Sequence, residues 1–305
     1  NSALASTTAM TTANITAKAL TASFSGTNRV YDATTGATVS GTSSDIISGD
    51  TVTVSQTAAA FSNKNVGTGK TISISGISLS GADAANYSLQ NTTATTTANI
   101  TQASLAVSGA SAANKVYDGT TAVTVTGGGV TALLSDSVTL SAANATFADK
   151  NVAHGKAITT AYTLSGTDAA NYTVVQQAGL TADITPKTVS AAYTGVNKVY
   201  DAGTTATVTG SLTGGIVGDT ITYSQTAAFT DKNVGTGKTV NITGISLGGT
   251  DAGNYTLSNT TATTTANITP YALSIGGITA NNKVYDGSTL ATLSGTASLS
   301  GILGS

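Results

Sequence analysis

The sequence predicts an all-β protein of tandem antiparallel β-sandwich (Ig-like) repeats, each of about 84 residues, strung into an elongated rod. Three observations predict it. The first is a recurring block. Asn28-Arg29-Val30-Tyr31-Asp32 returns at Asn114–Asp118, Asn197–Asp201 and Asn282–Asp286, with the tyrosines 86, 83 and 85 positions apart. A period this long marks a row of domains rather than the rungs of a fine solenoid. The second is composition. Thr, Ser, Val, Ile and Asn abound, and all 14 acidic residues are aspartate, which favours strands and turns over helices. The third is the shortness of the joints. Thr185-Pro186-Lys187 and Thr269-Pro270-Tyr271 pass from one strand pattern to the next without a Gly/Ser spacer, and proline stiffens its own position and the one before it. Thr101-Gln102-Ala103 lacks the proline and is expected to bend more.

Three further blocks fix the boundaries. Phe61–Lys70 recurs as Phe147–Lys156 and Phe229–Lys238, and Gly81–Tyr87 as Gly166–Tyr172 and Gly249–Tyr255. Ala13–Thr16 recurs as Ala98–Thr101, Ala182–Thr185 and Ala266–Thr269. Cutting after the last block gives repeat domains 17–101, 102–185 and 186–269. Residues 1–16 read as the end of a preceding repeat and 270–305 as the incomplete start of a following one, so the chain reads as an excerpt of a longer protein. Within the third repeat, strand patterns near Thr188–Tyr193, Lys198–Tyr200, Thr220–Ser224, Lys238–Ile245 and Thr260–Ile268 alternate with Asn, Asp and Gly clusters. Val240, Ile242 and Gly244 fall on one face of their strand, and Thr239, Asn241 and Thr243 on the other.

Charge is scarce. Twelve basic and 14 acidic groups leave a formal net charge of −2, with no electrostatic reach toward nucleic acid or anionic lipid. There is no cysteine for a disulfide or thiolate site, and no run of 18 apolar residues for a transmembrane helix. No cofactor or metal is expected, and no enzyme activity.

The residues that define the repeat are the candidates for special roles. Tyr31-Asp32, Tyr117-Asp118, Tyr200-Asp201 and Tyr285-Asp286 offer a ring for sugar stacking beside a carboxylate. Recurrence in every unit favours a fold-defining corner, with the ring in the core and the aspartate nucleating a turn. Asp83, Asn86 and Tyr87, with Asp168, Asn171, Tyr172 and Asp251, Asn254, Tyr255, could bring oxygens to calcium. One aspartate per loop is too few, and an Asx-capped turn fits better. Gly67–Thr71 and Gly235–Thr239 read Gly-Thr-Gly-Lys-Thr, yet lysine stands where a phosphate loop needs its first glycine. His154 is the sole histidine and falls in an exposed turn. Thr92–Thr97 and Thr260–Thr265 read as strands with solvated hydroxyls rather than an ice-binding array. Lys64, Lys150 and Lys232, recurring with Asn86, Asn171 and Asn254, admit a Lys–Asn isopeptide bond as a staple.

Val116-Tyr117-Asp118-Gly119-Thr120-Thr121, its variants at Val30, Val199 and Val284, the Gly-X-Asp-Ala-X-Asn-Tyr block and the Lys-Asn-Val-Gly turn together resemble YDG-type repeat domains and the similar MBG modules. Ala33 and Ala202 replace the glycine of the name motif, which leaves that turn open to other residues. The resemblance covers the whole chain and implies large secreted haemagglutinin-like adhesins of Gram-negative bacteria, many exported by two-partner secretion and held at the cell surface. The implied role is an extracellular stalk or fibre segment in cell adhesion or a biofilm matrix. Its partners are neighbouring repeats and, beyond them, extracellular polysaccharide or a host or matrix ligand. The alternatives are a multivalent carbohydrate-binding array and a filament whose modules self-associate laterally.

Overall fold

The structure is a computed structural model that describes residues 2, 8–141 and 144–304. Residues 1 and 3–7 of the expected leading fragment, 142–143 of the second repeat and Ser305 lie outside the described residues. Among the described residues there is no α-helix, and strands alternate with turns throughout.

The first repeat sets the pattern. Its strands are β1 (Lys18–Leu20), β2 (Ser23–Gly26), β3 (Arg29–Val30), β4 (Val39–Thr42), β5 (Thr53–Ser55), β6 (Ala58–Phe61), β7 (Gly67–Ser75), β8 (Ser78–Ser80), β9 (Tyr87–Leu89) and β10 (Thr93–Thr101). One layer is a four-stranded sheet in the order β3-β10-β7-β6. The pairs β1-β9, β2-β4 and β5-β8 supply the other layer. Leu20, Val39 and Val54 pack from that layer against Phe61, Ile72, Ile74 and Ile100 of the sheet, and the alternation of β7 puts Ile72 and Ile74 inward and Thr71, Ser73 and Ser75 outward.

The all-β tandem repeat fold is as the sequence predicts, but the pairing is mixed rather than wholly antiparallel. β1 runs parallel to β9 and β3 parallel to β10. One chain segment edges both layers, crossing between them after Gly26, where a Cβ would stand 2.8 Å from the Thr97 carbonyl. Its partners lie far along the sequence, which gives the long connection that parallel strands require. The second and third repeats repeat this. Ala103–Ala106 pairs parallel with Tyr172–Val175, and Lys187–Val196 with Tyr255–Leu257.

In the third repeat Val240 and Ile242 are fully buried, whereas Gly244 is exposed at φ +64° and Ile245 is buried. The expected inward face therefore shifts by one residue at Gly244. A bulge opposite Ser224–Thr226 resets the phase and returns Ile245 to the core.

The chain resolves into two compact units whose division runs through the second repeat. The first comprises 1–111, 125–145 and 159–180, the second 112–124, 146–158 and 181–305. In the first unit the core of Leu20, Ile72, Ile74 and Ile100 continues without a break into Ala103, Leu105 and Tyr172, past the end of the first repeat. The core of the second unit is Ala191, Phe229, Val240, Ile242, Ile245, Ala266 and Ile268. Residues 270–304 form two short antiparallel pairs and are exposed throughout.

Candidate functional site

The Tyr-Asp block is a corner in which each residue has a structural task. Asn28, Asn114 and Asn197 each accept, on the side-chain oxygen, the backbone N–H of the repeat's last strand, from Asn99, Asp183 and Asn267 at 2.7, 2.8 and 2.7 Å. The cation that follows lies over a phenylalanine ring, Arg29 on Phe61, Lys115 on Phe147 and Lys198 on Phe229. It also pairs with the block's own aspartate, Asp32, Asp118 or Asp201. That aspartate accepts the N–H two residues on, from Thr34, Thr120 and Gly203, closing an Asx turn. Between them the chain turns left-handed, at φ +62° for Ala33, +78° for Gly119 and +63° for Ala202. Such a conformation suits glycine and strains alanine. Asp286 repeats the Asx turn with Ser288.

This corner aims the tyrosine out of its own repeat and into the next. The Tyr31 hydroxyl donates to Asp136 Oδ2 at 2.7 Å, and the Tyr172 hydroxyl donates to the same oxygen at 2.7 Å. The two rings meet edge to face at 5.3 Å between centroids. Lys64, from the Lys-Asn-Val turn, donates to Asp136 Oδ1 and lies 3.0 Å from Asp168. The Val66 N–H donates to Asn171 Oδ1 at 2.9 Å, and Asn171 Nδ2 returns a bond to Asn65. All of this lies in the first unit. The second unit holds an equal assembly one repeat later. Tyr117 and Tyr255 donate to Asp219 Oδ2 at 2.8 and 2.6 Å, and Lys150 to Asp219 Oδ1 at 2.9 Å with Asp251 at 3.5 Å. The Val152 N–H donates to Asn254 at 2.9 Å. Each repeat thus has a donor edge (the tyrosine, the lysine and the Asn-Val turn) and an acceptor edge (two aspartates, an asparagine and a second tyrosine).

Burial sets the electrostatics. The side chains of Asp136 and Asp219 are 1 % and 4 % exposed. Burial alone would raise their carboxyls, but the hydrogen bonds from the lysine and both tyrosines outweigh it and hold them below the ordinary range. Lys64 is pushed up by Asp136 and then Asp168, and Lys150 by Asp219 and then Tyr117. Burial, then the bond to the shared carboxylate, raises Tyr172 and Tyr255 to about 12. Both joints are therefore ion pairs with neutral phenols across the physiological range. Such a set orients two bodies and holds them, and a carboxylate with three donors is a poor base or nucleophile.

The remaining candidates take ordinary places. Asp83, Asp168 and Asp251 precede one-turn 3-10 segments and accept the N–H of Thr51, Ser137 and Thr220 at 2.9 Å each. Among the described residues no cluster of three metal-ligating side chains occurs. The Gly-Thr-Gly-Lys segment is not a turn but the start of a strand, β7 in the first repeat, where a bulge opposite Ala98–Ile100 takes Gly69 to φ +58°. Gly69 N–H donates to Asn99 and Lys70 to Asn63, with Gly155 to Asp183 and Lys156 to Asp149 in the second repeat. His154 is 92 % exposed, 3.1 Å from Asp183. At the two joints the lysines meet carboxylates, Lys64 with Asp136 and Asp168 and Lys150 with Asp219 and Asp251. At the first joint Gln102 Nε2 donates to the carbonyls of Ala170 and Tyr172 of its own repeat at 3.0 and 3.1 Å.

The sequence reading missed Asp50, Asp136 and Asp219. Their signal was present in Asp50-Thr51-Val52, Asp136-Ser137-Val138 and Asp219-Thr220-Ile221, an aspartate leading a hydroxyl and a β-branched residue at repeat spacing.

The profile of the YDG domain family matches residues 16–97, 101–179 and 185–265. The chain belongs to the YDG domain family. Curated proteins give no match to the YDG chain. Among solved structures, the I9–I11 tandem of titin aligns with 82 % of this chain and 100 % of its own at 11 % identity, with a TM-score of 0.23, and a likeness that low carries no argument. Among the described residues no helix is long and apolar enough to cross a membrane.

Proposed function

We propose that these YDG repeats are a non-enzymatic stalk or fibre segment of a secreted bacterial surface adhesin, holding an adhesive region away from the cell or linking cells within a biofilm matrix. One observation carries the reading: the same tyrosine–aspartate–lysine joint recurs at 31/136/64 and at 117/219/150. A joint copied with its repeat serves transmission of position or force, whereas a single reaction needs one site. The carbohydrate-array alternative gains no support at the joints. The rings of Tyr31 and Tyr117 are 2 % and 1 % exposed and offer no face for a sugar. Two-partner export and an extracellular location belong to this proposal.

Electron microscopy of chains with different repeat numbers tests it. A thin particle that lengthens by about 40 Å per repeat is expected from strand and sheet dimensions. A particle that grows equally in all directions counts against the stalk. Protease shaving of intact cells should release YDG fragments, and their retention inside the cell removes the surface assignment.

A further inference from the structure

We propose that the parallel tract joining the first and last segments of each repeat is a load-bearing clamp, spliced by a side-chain amide, that takes tension along the chain in shear. The tract begins where the chain enters a repeat and ends where it leaves. In the first repeat β1 pairs parallel with β9, Lys18 to Leu20 against Tyr87 to Leu89, and the Gln90 N–H extends the pair to the Leu20 carbonyl at 2.9 Å. β3 then pairs parallel with the end of β10, Arg29 and Val30 against Ile100 and Thr101, and the Tyr31 N–H closes on the Thr101 carbonyl at 2.8 Å. The third repeat has both halves, with Lys187 to Val189 against Tyr255 to Leu257 and Lys198-Val199 against Ile268-Thr269. The second repeat has them at Ala103 to Ala106 and at Lys115-Val116.

Between the halves the ladder breaks, and one amide side chain carries it across. The Ala22 N–H donates to Asn91 Oδ1 at 2.8 Å, and Asn91 Nδ2 donates to the Ala22 carbonyl at 3.0 Å. Asn259 does the same for Ala191 at 3.2 and 3.0 Å, and Gln177 for Ala110 at 2.8 and 3.0 Å. Ala22, Ala110 and Ala191 are buried, so these peptide groups depend on the amide for their partners. The bonds that Asn28, Asn114 and Asn197 accept at the corner lie in the same tract.

Parallel strands run the same way. Tension pulls the entry strand backward and the exit strand forward, along their axes and across the hydrogen bonds between them. The bonds of the tract are then strained together, whereas strands pulled apart from one end give way a bond at a time. Tyr31 ends the tract and is also the ring that enters the next repeat, so clamp and joint meet in one residue. The inference deepens the stalk reading by naming what bears the load. Its test reads the isolated molecule, so it can fail while the stalk reading stands, and the reverse.

Forced unfolding of the whole chain, gripped at its two ends, tests it, because such unfolding is governed by the barrier rather than by the equilibrium. Asn259→Ala should weaken one repeat's unfolding event and leave the others, raising that event's rate at constant force by about tenfold. Ile242→Val, of similar cost in chemical unfolding, should change the force little, since Ile242 stays packed while the clamp gives way. If Asn259→Ala does not fold, Asn259→Asp, which keeps the acceptor and drops the donor, carries the same comparison. The chain has no cysteine, so Thr188→Cys and Thr250→Cys provide the only thiol grips and place the load at one end of the tract. With those grips the third repeat should open at roughly half the end-loaded force or less. Equal forces in the two geometries, or equal losses of force for the asparagine and Ile242→Val variants, overturn the proposal.

Discussion

Tyr117 and Tyr200 sit in the same five-residue block, Asn-Lys-Val-Tyr-Asp, yet Tyr117 is 1 % exposed and Tyr200 is half-buried. Local geometry does not explain the contrast, since Lys115 and Lys198 clasp their own aspartates in the same way. What differs is the presence of the next repeat's buried carboxylate, Asp219 for Tyr117. The Tyr-Asp block thus builds a presented ring, and the following repeat decides whether that ring becomes core.

Breaking a formed joint should cost far more than the same change at an open edge. Asp136→Ala removes the acceptor of three donors and leaves Lys64 without its closest partner, for a loss of about 3 kcal/mol in chemical unfolding. Asp50→Ala, which strands only the Tyr87 hydroxyl, should cost a small part of that. Equal losses would show that the joint contributes nothing beyond each repeat.

Acid and base should open the joints from opposite sides. Asp136 and Asp219 have carboxyls held low in the folded chain, so their contribution is present above about pH 4 and is lost as pH falls through the lowered value. Tyr172 and Tyr255 are raised to about 12, so their contribution is present below about pH 10 and is lost as pH climbs from there through about 12. Unfolding midpoints against pH should show both falls, and Asp136→Asn should flatten the acid limb.

A smaller effect isolates the hydroxyl. Tyr117→Phe keeps the ring contact with Tyr255 and loses the bond to Asp219, for about 1 kcal/mol, while Tyr200→Phe, at a half-buried ring, should leave stability nearly unchanged. The smallest concerns the left-handed turn. Ala202→Gly relieves a φ of +63° but loosens the unfolded chain, for a net gain of about 0.5 kcal/mol. Gly119→Ala adds the strain and sets a Cβ 3.2 Å from Ile216, for a loss of about 1 kcal/mol in thermal unfolding.

The repeats, the strand-and-turn composition and the Asx role of Asp32, Asp118 and Asp201 were legible because they depend on near neighbours in sequence. So was the inward face of Val240 and Ile242, up to Gly244, where a bulge that pattern alone does not announce shifts the phase. The parallel pairing of β1 and β3 was not legible, since it depends on one segment edging two layers. The joint was half legible. Its tyrosines and the Asp-Asn-Tyr block stood out as copies, but Tyr31 and Asp136 are 105 positions apart, and no local pattern says that a tyrosine aimed outward meets an aspartate in the next copy.

Because every repeat is made with one edge of each kind, whole-repeat duplication or loss in the gene leaves matching surfaces at the new boundary. Reach could then change by whole modules under selection without any new contact having to arise. A substitution at one aspartate, by contrast, is felt across a boundary and is corrected only by change in a neighbouring copy.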